Sequence, residues 1–426
     1  MKANGLKVVG FALMQLLTQK VAGIDWRFFQ GAFLVSGGML LARLFGLGFS
    51  LILARTLAPD DFGTVQYTLA AANILAIGVQ PFGQHVMARF ISHNVANPER
   101  LTGIFHHGWL IFLLLLGISL LLSLLTAWFS DKLGMEVLVV VGGIALFYGY
   151  WGVCRGYLAS GLLTAVYLGS NVVQFLAVLL VVGWFEINTP AVALLIYGLS
   201  YVPILLWIQG QYGLTLFPGR IGWNLQGSII HQLMRFALPI TLSHGAFMLF
   251  MSVDLIYLNQ WVAPNYVGQY AFAKTLATAF SFIPMGISTL LMPRVAMTKH
   301  GNNRQIVLGS IGISLLVNLF FLFIFWFLVS WFVLTLFGDS YLAPTYVYLL
   351  LAVASIFMGI QSVITAAYVG LNRPEIETLG RVVAAVAALL CCWLLIPVYG
   401  LTGAAMSLVF GVLLSLGIYG FYFVND

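Results

Sequence analysis

Charge is scarce in this sequence. Its 18 Lys and Arg and 12 Asp and Glu make up 7% of 426 residues, where a soluble domain carries about 25%. That deficit excludes a compact fold in water, because 62% of the residues are apolar and too little polar surface exists to cover them. Long polar segments are missing as well, so nothing outside a bilayer is large enough to fold as a catalytic domain. No G-x-x-x-x-G-K-[ST] loop occurs, which argues against ATP-driven transport by this chain alone. Cysteine is limited to Cys154, Cys391 and Cys392, too few and too poorly spaced for a disulfide framework or a metal cluster. The apolar runs are continuous and do not alternate, which excludes an outer-membrane barrel. After Lys2 and Lys7 comes an apolar stretch, but Gln15, Thr18, Gln19 and Lys20 follow it without an A-x-A site. Residues 4–22 therefore read as an amphipathic helix lying on the membrane surface, with no cleaved signal.

What the chain has is hydrocarbon-length apolar segments. A span needs about 20 apolar residues, and twelve are expected: 29–54, 66–91, 104–128, 136–157, 164–184, 190–211, 235–261, 265–293, 306–336, 343–370, 377–396 and 401–423. The fold class is an all-α polytopic membrane protein. The longest polar interval lies near 212–234 and divides the chain into an N-terminal interfacial segment 1–28, a six-helix bundle 29–211, a linker 212–234, a second six-helix bundle 235–423 and a tail 424–426. With the N-terminus inside, 14 of the 18 Lys and Arg fall in cytoplasmic segments and 2 in outside loops. This asymmetry places both termini in the cytoplasm. It also accounts for the net charge of +6 without a nucleic acid partner.

The halves repeat each other. Ala58-Pro59-Asp60-Asp61-Phe62-Gly63 and Ala263-Pro264-Asn265-Tyr266-Val267-Gly268 share the pattern A-P-x-x-x-G at an offset of 205 residues. Pro81 and Gly83 are answered by Pro284 and Gly286, and Arg89 by Arg294. Six spans separate the copies, so both run in the same direction, as in transporters with two rocking halves. Each proline removes a backbone hydrogen bond, so spans 2 and 8 are expected to kink or break at Pro81 and Pro284. These paired breaks either shape the helices or act as hinges. The pattern Gly152-x-x-x-Gly156 allows a close helix approach.

At these positions the sequence resembles the polysaccharide transporters, the Wzx-like branch of the multidrug/oligosaccharidyl-lipid/polysaccharide (MOP) exporter superfamily. The resemblance rests on residues 43–50 (R-L-F-G-L-G-F-S), 53–63 (L-A-R-T-L-A-P-D-D-F-G), Phe82-Gly83 and Arg89-Phe90-Ile91. In the second half it rests on residues 236–240 (F-A-L-P-I), Gly268-Gln269-Tyr270, Pro293-Arg294, residues 337–341 (F-G-D-S-Y) and residues 370–374 (G-L-N-R-P). It implies a V-shaped pair of six-helix bundles with spans 1, 2, 7 and 8 facing a central cavity. It also implies transfer of a polyprenyl-pyrophosphate-linked oligosaccharide from the cytoplasmic to the outer leaflet. The related lipid II flippases carry several cavity arginines around span 1; here Arg43 stands alone.

Three charges fall within spans, where charge is costly and functional by default. Asp254 is ten residues before Pro264 and Lys274 ten after it, so at ~1.5 Å per residue both sit roughly 15 Å in from the same turn. They form an ion pair, or Asp254 couples to H+ or Na+ while Lys274 contacts substrate. Arg43 is near the centre of span 1. Its guanidinium suits a pyrophosphate, with pairing to Asp254 or packing as alternatives. Asn73, Gln80 and Gln84 share one side of span 2 and offer hydrogen bonds to sugar hydroxyls or to neighbouring helices; His244 in span 7 has the same two readings. Arg89 and Arg294 mark the cytoplasmic mouth, as headgroup anchors or recruiters of an anionic lipid carrier.

The expectation is a flippase of the cytoplasmic (inner) membrane, with no bond-making chemistry and no cofactor. Its partners are a lipid-linked oligosaccharide, membrane lipids and polysaccharide polymerase machinery. The alternatives are a cation-coupled multidrug exporter of the same superfamily, which needs several cavity carboxylates, and a membrane glycan polymerase or ligase, which needs a sizeable outside loop.

Overall fold

The computed structural model describes residues 26–94, 97–157, 160–185, 189–212, 227–297, 303–371 and 373–425. The interfacial helix expected at 4–22 and most of the linker lie outside these residues. All described elements are helical. They are α1 (Trp26–Thr56), α2 (Pro59–Leu75), α3 (Val79–Asn94), α4 (Pro98–Phe129), α5 (Glu136–Gly156), α6 (Ser160–Phe185), α7 (Pro190–Leu199), α8 (Tyr201–Tyr212), α9 (Gly227–Trp261), α10 (Pro264–Thr278), α11 (Phe282–Met297), α12 (Asn303–Phe337), α13 (Thr345–Gly370), α14 (Pro374–Tyr399) and α15 (Leu401–Asn425).

Each of the twelve expected spans coincides with a helix or a broken pair of helices. Ten helices are long and apolar enough to cross a membrane unaided, and eleven spans result when α2 and α3 are counted as one. The remaining expected span, 265–293, is divided between α10 and α11, neither long enough alone. Helix α9 begins at Gly227, so the end of the expected linker is already helical. This is a multi-pass membrane protein. Its outer helices α4 and α12 expose Leu114, Leu121, Trp128, Phe320, Phe323 and Trp331, side chains that only a hydrocarbon solvent accommodates in such numbers.

The two proline breaks fall one turn earlier than the prolines themselves. A proline at position i leaves the carbonyl of i−4 without its donor and pushes against it. For Pro81 that carbonyl belongs to Ile77, and α2 and α3 meet at a 65° bend in this stretch. For Pro284 it belongs to Phe280, within the 3-10 turn Ala279–Ser281. Beyond Pro81 the chain takes a π-helical turn over Phe82–Met87, a form common at functional sites. That turn lies against α5: a Cβ on Gly83 would stand 2.9 Å from the Tyr148 carbonyl, and one on Gly152 would strike the Gly83 oxygen. Gly156 sits against Ile91 and Ala88 in the same way, so the Gly152-x-x-x-Gly156 pattern is spent on this approach.

Within the first half, α1 packs along α6 and α5 contacts α3, α4, α6 and α7; within the second, α14 packs on α15 and α9, and α11 on α13. The halves meet chiefly where α2 crosses α10. There the two copies of A-P-x-x-x-G face one another: a Cβ on Gly63 would lie 2.8 Å from the Gly268 nitrogen, and one on Gly268 would strike the Pro59 carbonyl. Around this crossing Phe62 meets Phe272 at 6.3 Å and Tyr341 at 5.9 Å between ring centroids. Gly338, at φ +80°, a conformation that suits glycine, turns the chain after α12. Tyr341 then donates a 2.8 Å hydrogen bond to the Leu57 carbonyl of the other half. The F-G-D-S-Y segment thus seals this end.

Gly268→Ala is expected to destabilise the protein by about 1–3 kcal/mol through overpacking against the Pro59 carbonyl. A lower thermal unfolding midpoint in detergent checks this, and an unchanged midpoint contradicts the close crossing.

Candidate functional site

The acid in the membrane interior is fully engaged. Asp254, on α9 and 0% exposed, receives both oxygens' worth of bonding from Lys274 on α10, with Nζ at 2.8 Å from Oδ1 and 2.7 Å from Oδ2. The Tyr270 hydroxyl donates to Oδ2 at 2.7 Å, and Lys274 Nζ also donates to the Met251 carbonyl at 2.6 Å. The A-P-x-x-x-G turn makes this possible, because it folds α10 back beside α9 with the two residues level. A buried pair with its remaining donors and acceptors satisfied tolerates the low dielectric; either partner alone would not.

Arg43 has no such partner. It lies near the middle of α1, half-buried, with its guanidinium carbon 5.6 Å from the centroid of the Phe282 ring on α11, a cation–π contact across the two halves. No described carboxylate pairs with it; the described ion pairs are Lys274–Asp254 and Arg381–Glu377. Beside it, Leu40, Leu44 and Leu47 on the same face of α1 line an apolar groove of about 480 Å³ whose far wall is Phe280, Phe282, Phe321, Phe325 and Phe332. The groove is open to the side at mid-helix level, where Leu44, Phe321 and Leu328 are exposed. Its polar exception is Asn318, fully buried on α12 with neither amide atom hydrogen-bonded.

The amides of span 2 form a chain rather than a free face. Asn73 Nδ2 donates to the Leu69 carbonyl at 2.9 Å, Gln80 Nε2 donates to Asn73 Oδ1 at 3.3 Å, and His244 Nε2 lies 3.1 Å from Gln80 Oε1. The last contact joins the halves. Gln84 is half-buried and makes no described hydrogen bond.

Two further arginines join this region. Arg155 Nη1 is 3.5 Å from His85 Nδ1. Arg381 pairs with Glu377 at 2.5 Å, lies over Phe247 at 5.1 Å and points Nη1 to Ser243 at 3.4 Å. The Glu377–Arg381 spacing of four was a legible signal, whereas nothing local in the sequence marks Arg155 for His85.

At the end of the bundle rich in Lys and Arg, Arg89 stacks 4.1 Å over the Phe236 ring of the other half. Together with Phe90, His93, Asn94, Arg100, Gln232, Arg235 and Phe236 it lines a pocket of about 560 Å³. Arg294 lies on α11, but its side chain is outside the described ones. Pro81 and Pro284 border the helix breaks, and Pro284 packs on Gly359. Gly83 is pinned against α5, whereas a Cβ on Gly286 would meet nothing within 4 Å.

An all-helical chain whose repeated segments carry helix breaks next to Pro81 and Pro284 is similar in fold to solved transporters of the MOP superfamily. The lipid II flippase MurJ in an inward closed conformation matches at a TM-score of 0.69 with 14% identity, over 90% of this chain and 87% of that one. An inward-facing multidrug resistance MATE transporter matches at 0.66 and 14%, over 89% and 93%. An outward-facing MATE transporter matches at 0.60 and 16%, over 93% and 94%. No curated protein sequence matches. The model of the polysaccharide biosynthesis protein family matches residues 28–299, and the chain belongs to that family.

Lys274→Met leaves a buried carboxylate unpaired and is expected to cost about 3–5 kcal/mol, while Asp254→Asn with Lys274→Met recovers most of the loss. Thermal unfolding of the three variants checks this. A single variant as stable as the parent contradicts the buried pair.

Proposed function

We propose that this protein is a flippase for a polyprenyl-pyrophosphate-linked oligosaccharide, moving it from the cytoplasmic to the outer leaflet of the cytoplasmic membrane by alternating access. The observation that carries the reading is the pairing of Arg43 with the lateral apolar groove. A carboxylate-free guanidinium at mid-membrane attracts an anion, and an open hydrocarbon-lined groove next to it suits a chain that stays in the bilayer. A substrate with a phosphorylated head and a long apolar tail satisfies both. In this reading the basic end is cytoplasmic, both termini are inside, and the protein hands its product to polysaccharide polymerase machinery. The breaks before Pro81 and Pro284 are its hinges. Asn73, Gln80 and His244 exchange their mutual hydrogen bonds for sugar hydroxyls as the halves part, and the Gln84 amide joins them.

The MATE exporters share the fold, but cation-coupled export of cationic drugs calls for an available intramembrane carboxylate. Asp254 accepts three hydrogen bonds from Lys274 and Tyr270 and offers none. The membrane interior around Arg43 therefore favours an anion.

In a strain lacking the gene, the parent chain is expected to restore surface polysaccharide, and Arg43→Ala to leave lipid-linked oligosaccharide on the inner leaflet with at least tenfold less surface product. Arg43→Lys is expected to fall between, because a point charge replaces a bidentate fork. Full rescue by Arg43→Ala rejects the site; unchanged polysaccharide in the deletion with new sensitivity to cationic drugs rejects the substrate.

A further inference from the structure

The pocket between Arg89 and Arg235 is separate from Arg43 and is built from both halves. Arg89, His93 and Arg100 come from α3 and α4, and Gln232, Arg235 and Phe236 from the start of α9. All three arginines are exposed at the pocket, and among the described residues lining it there is no carboxylate. Like charges are thus brought together across an interface, which opposes closure of this end. The arrangement of Arg89 shows how the repulsion is answered. Its guanidinium carbon stands 4.1 Å from the centroid of the Phe236 ring, and the side chain is exposed to the pocket, where its N–H donors can meet an acceptor. Phe90 closes on the same ring at 5.9 Å, fixing the floor of the pocket.

We propose that this pocket is a binding site for a phosphate or pyrophosphate group, which bridges Arg89 and Arg100 of one half to Arg235 of the other and thereby holds the basic end closed. A multivalent anion between the guanidinium groups turns a repulsive contact into charge-assisted hydrogen bonds from both sides. Occupancy and closure are then one equilibrium: the anion binds the closed state better, so it shifts the population toward it. The ligand class is that of the proposed function, on which this inference rests, but the step is different. Arg43 meets the head at mid-membrane, whereas this site makes closure of the entrance conditional on a head being present.

The test uses the full chain, spin-labelled at Ser92→Cys and His231→Cys with the native cysteines replaced by alanine, in uncharged detergent. Inorganic pyrophosphate is expected to narrow the inter-label distances to a single short population. Arg100→Gln and Arg235→Gln each raise the half-maximal concentration about tenfold, the worth of roughly one charge-assisted bond, and the double variant does not respond. Arg43→Gln responds like the parent, so loss of transport in that variant with an intact pyrophosphate response separates the two claims. Closure in nanodiscs of phosphatidylglycerol without added pyrophosphate assigns the site to a bilayer headgroup. Closure there only with pyrophosphate or a polyprenyl pyrophosphate assigns it to a diphosphate. Equal closure by chloride at matched ionic strength, or an unaltered response in the double variant, overturns the proposal. Unfolding midpoints and size-exclusion profiles identical to the parent's show that the variants are folded.

Discussion

A charge in hydrocarbon has to be neutralised, and the way this chain neutralises its intramembrane charges decides what is left for transport. Lys274 and Tyr270 saturate Asp254, and in the first turns of α14, toward the helix end, Glu377 pairs with Arg381. Each pair is confined to the second half. Arg43, on the first half, reaches across to the Phe282 ring and keeps its positive charge uncompensated by any described carboxylate. The net character of the interior is therefore set by which residues the turn at Pro264 brings level, and the site follows from that pairing.

The same turn organises the contact between the halves. Its two copies cross glycine to glycine at the sealed end, where Gly63 and Gly268 bring backbones into contact and Tyr341 ties the second half to Leu57. At the basic end the contacts between halves are of another kind: Arg89 over Phe236 and the exposed pocket beneath it. Backbone packing and a buried aromatic cluster hold one end, and a ring contact of Phe90 with Phe236 beside exposed arginines marks the other. Between them stand the helix breaks at Ile77 and Phe280, and the His244–Gln80 contact. A structure closed at the glycine crossing with an anion-seeking opposite end suits a carrier waiting for a charged head.

Much of this was legible in the sequence for local reasons. Apolar runs of bilayer length located the helices, ten or eleven of which are long and apolar enough to be spans, and the equal distances of Asp254 and Lys274 from Pro264 pointed to their ion pair. Prolines 81 and 284 gave the breaks but not their position, because the lost hydrogen bond belongs to the carbonyl four residues earlier. Asn318, an isolated amide in the apolar helix α12, is a local signal of the same kind. The contacts between halves were not legible: Tyr341 with Leu57 and Arg235 with Arg89 are separated by 284 residues and by more than a hundred. No period or spacing encodes such meetings; they depend on how two finished bundles pack.

The most direct test of the central claim is flipping in vesicles that contain only this protein. A fluorescent polyprenyl-pyrophosphate oligosaccharide placed in both leaflets is scored by the fraction that an enzyme outside the vesicles can reach. The account predicts that the inner-leaflet fraction becomes reachable with the parent chain, that Arg43→Gln slows this at least tenfold, and that an otherwise identical polyprenyl glycoside without phosphate does not cross. Equal transfer of the phosphate-free lipid, or transfer of cationic dyes in place of either lipid, would contradict it.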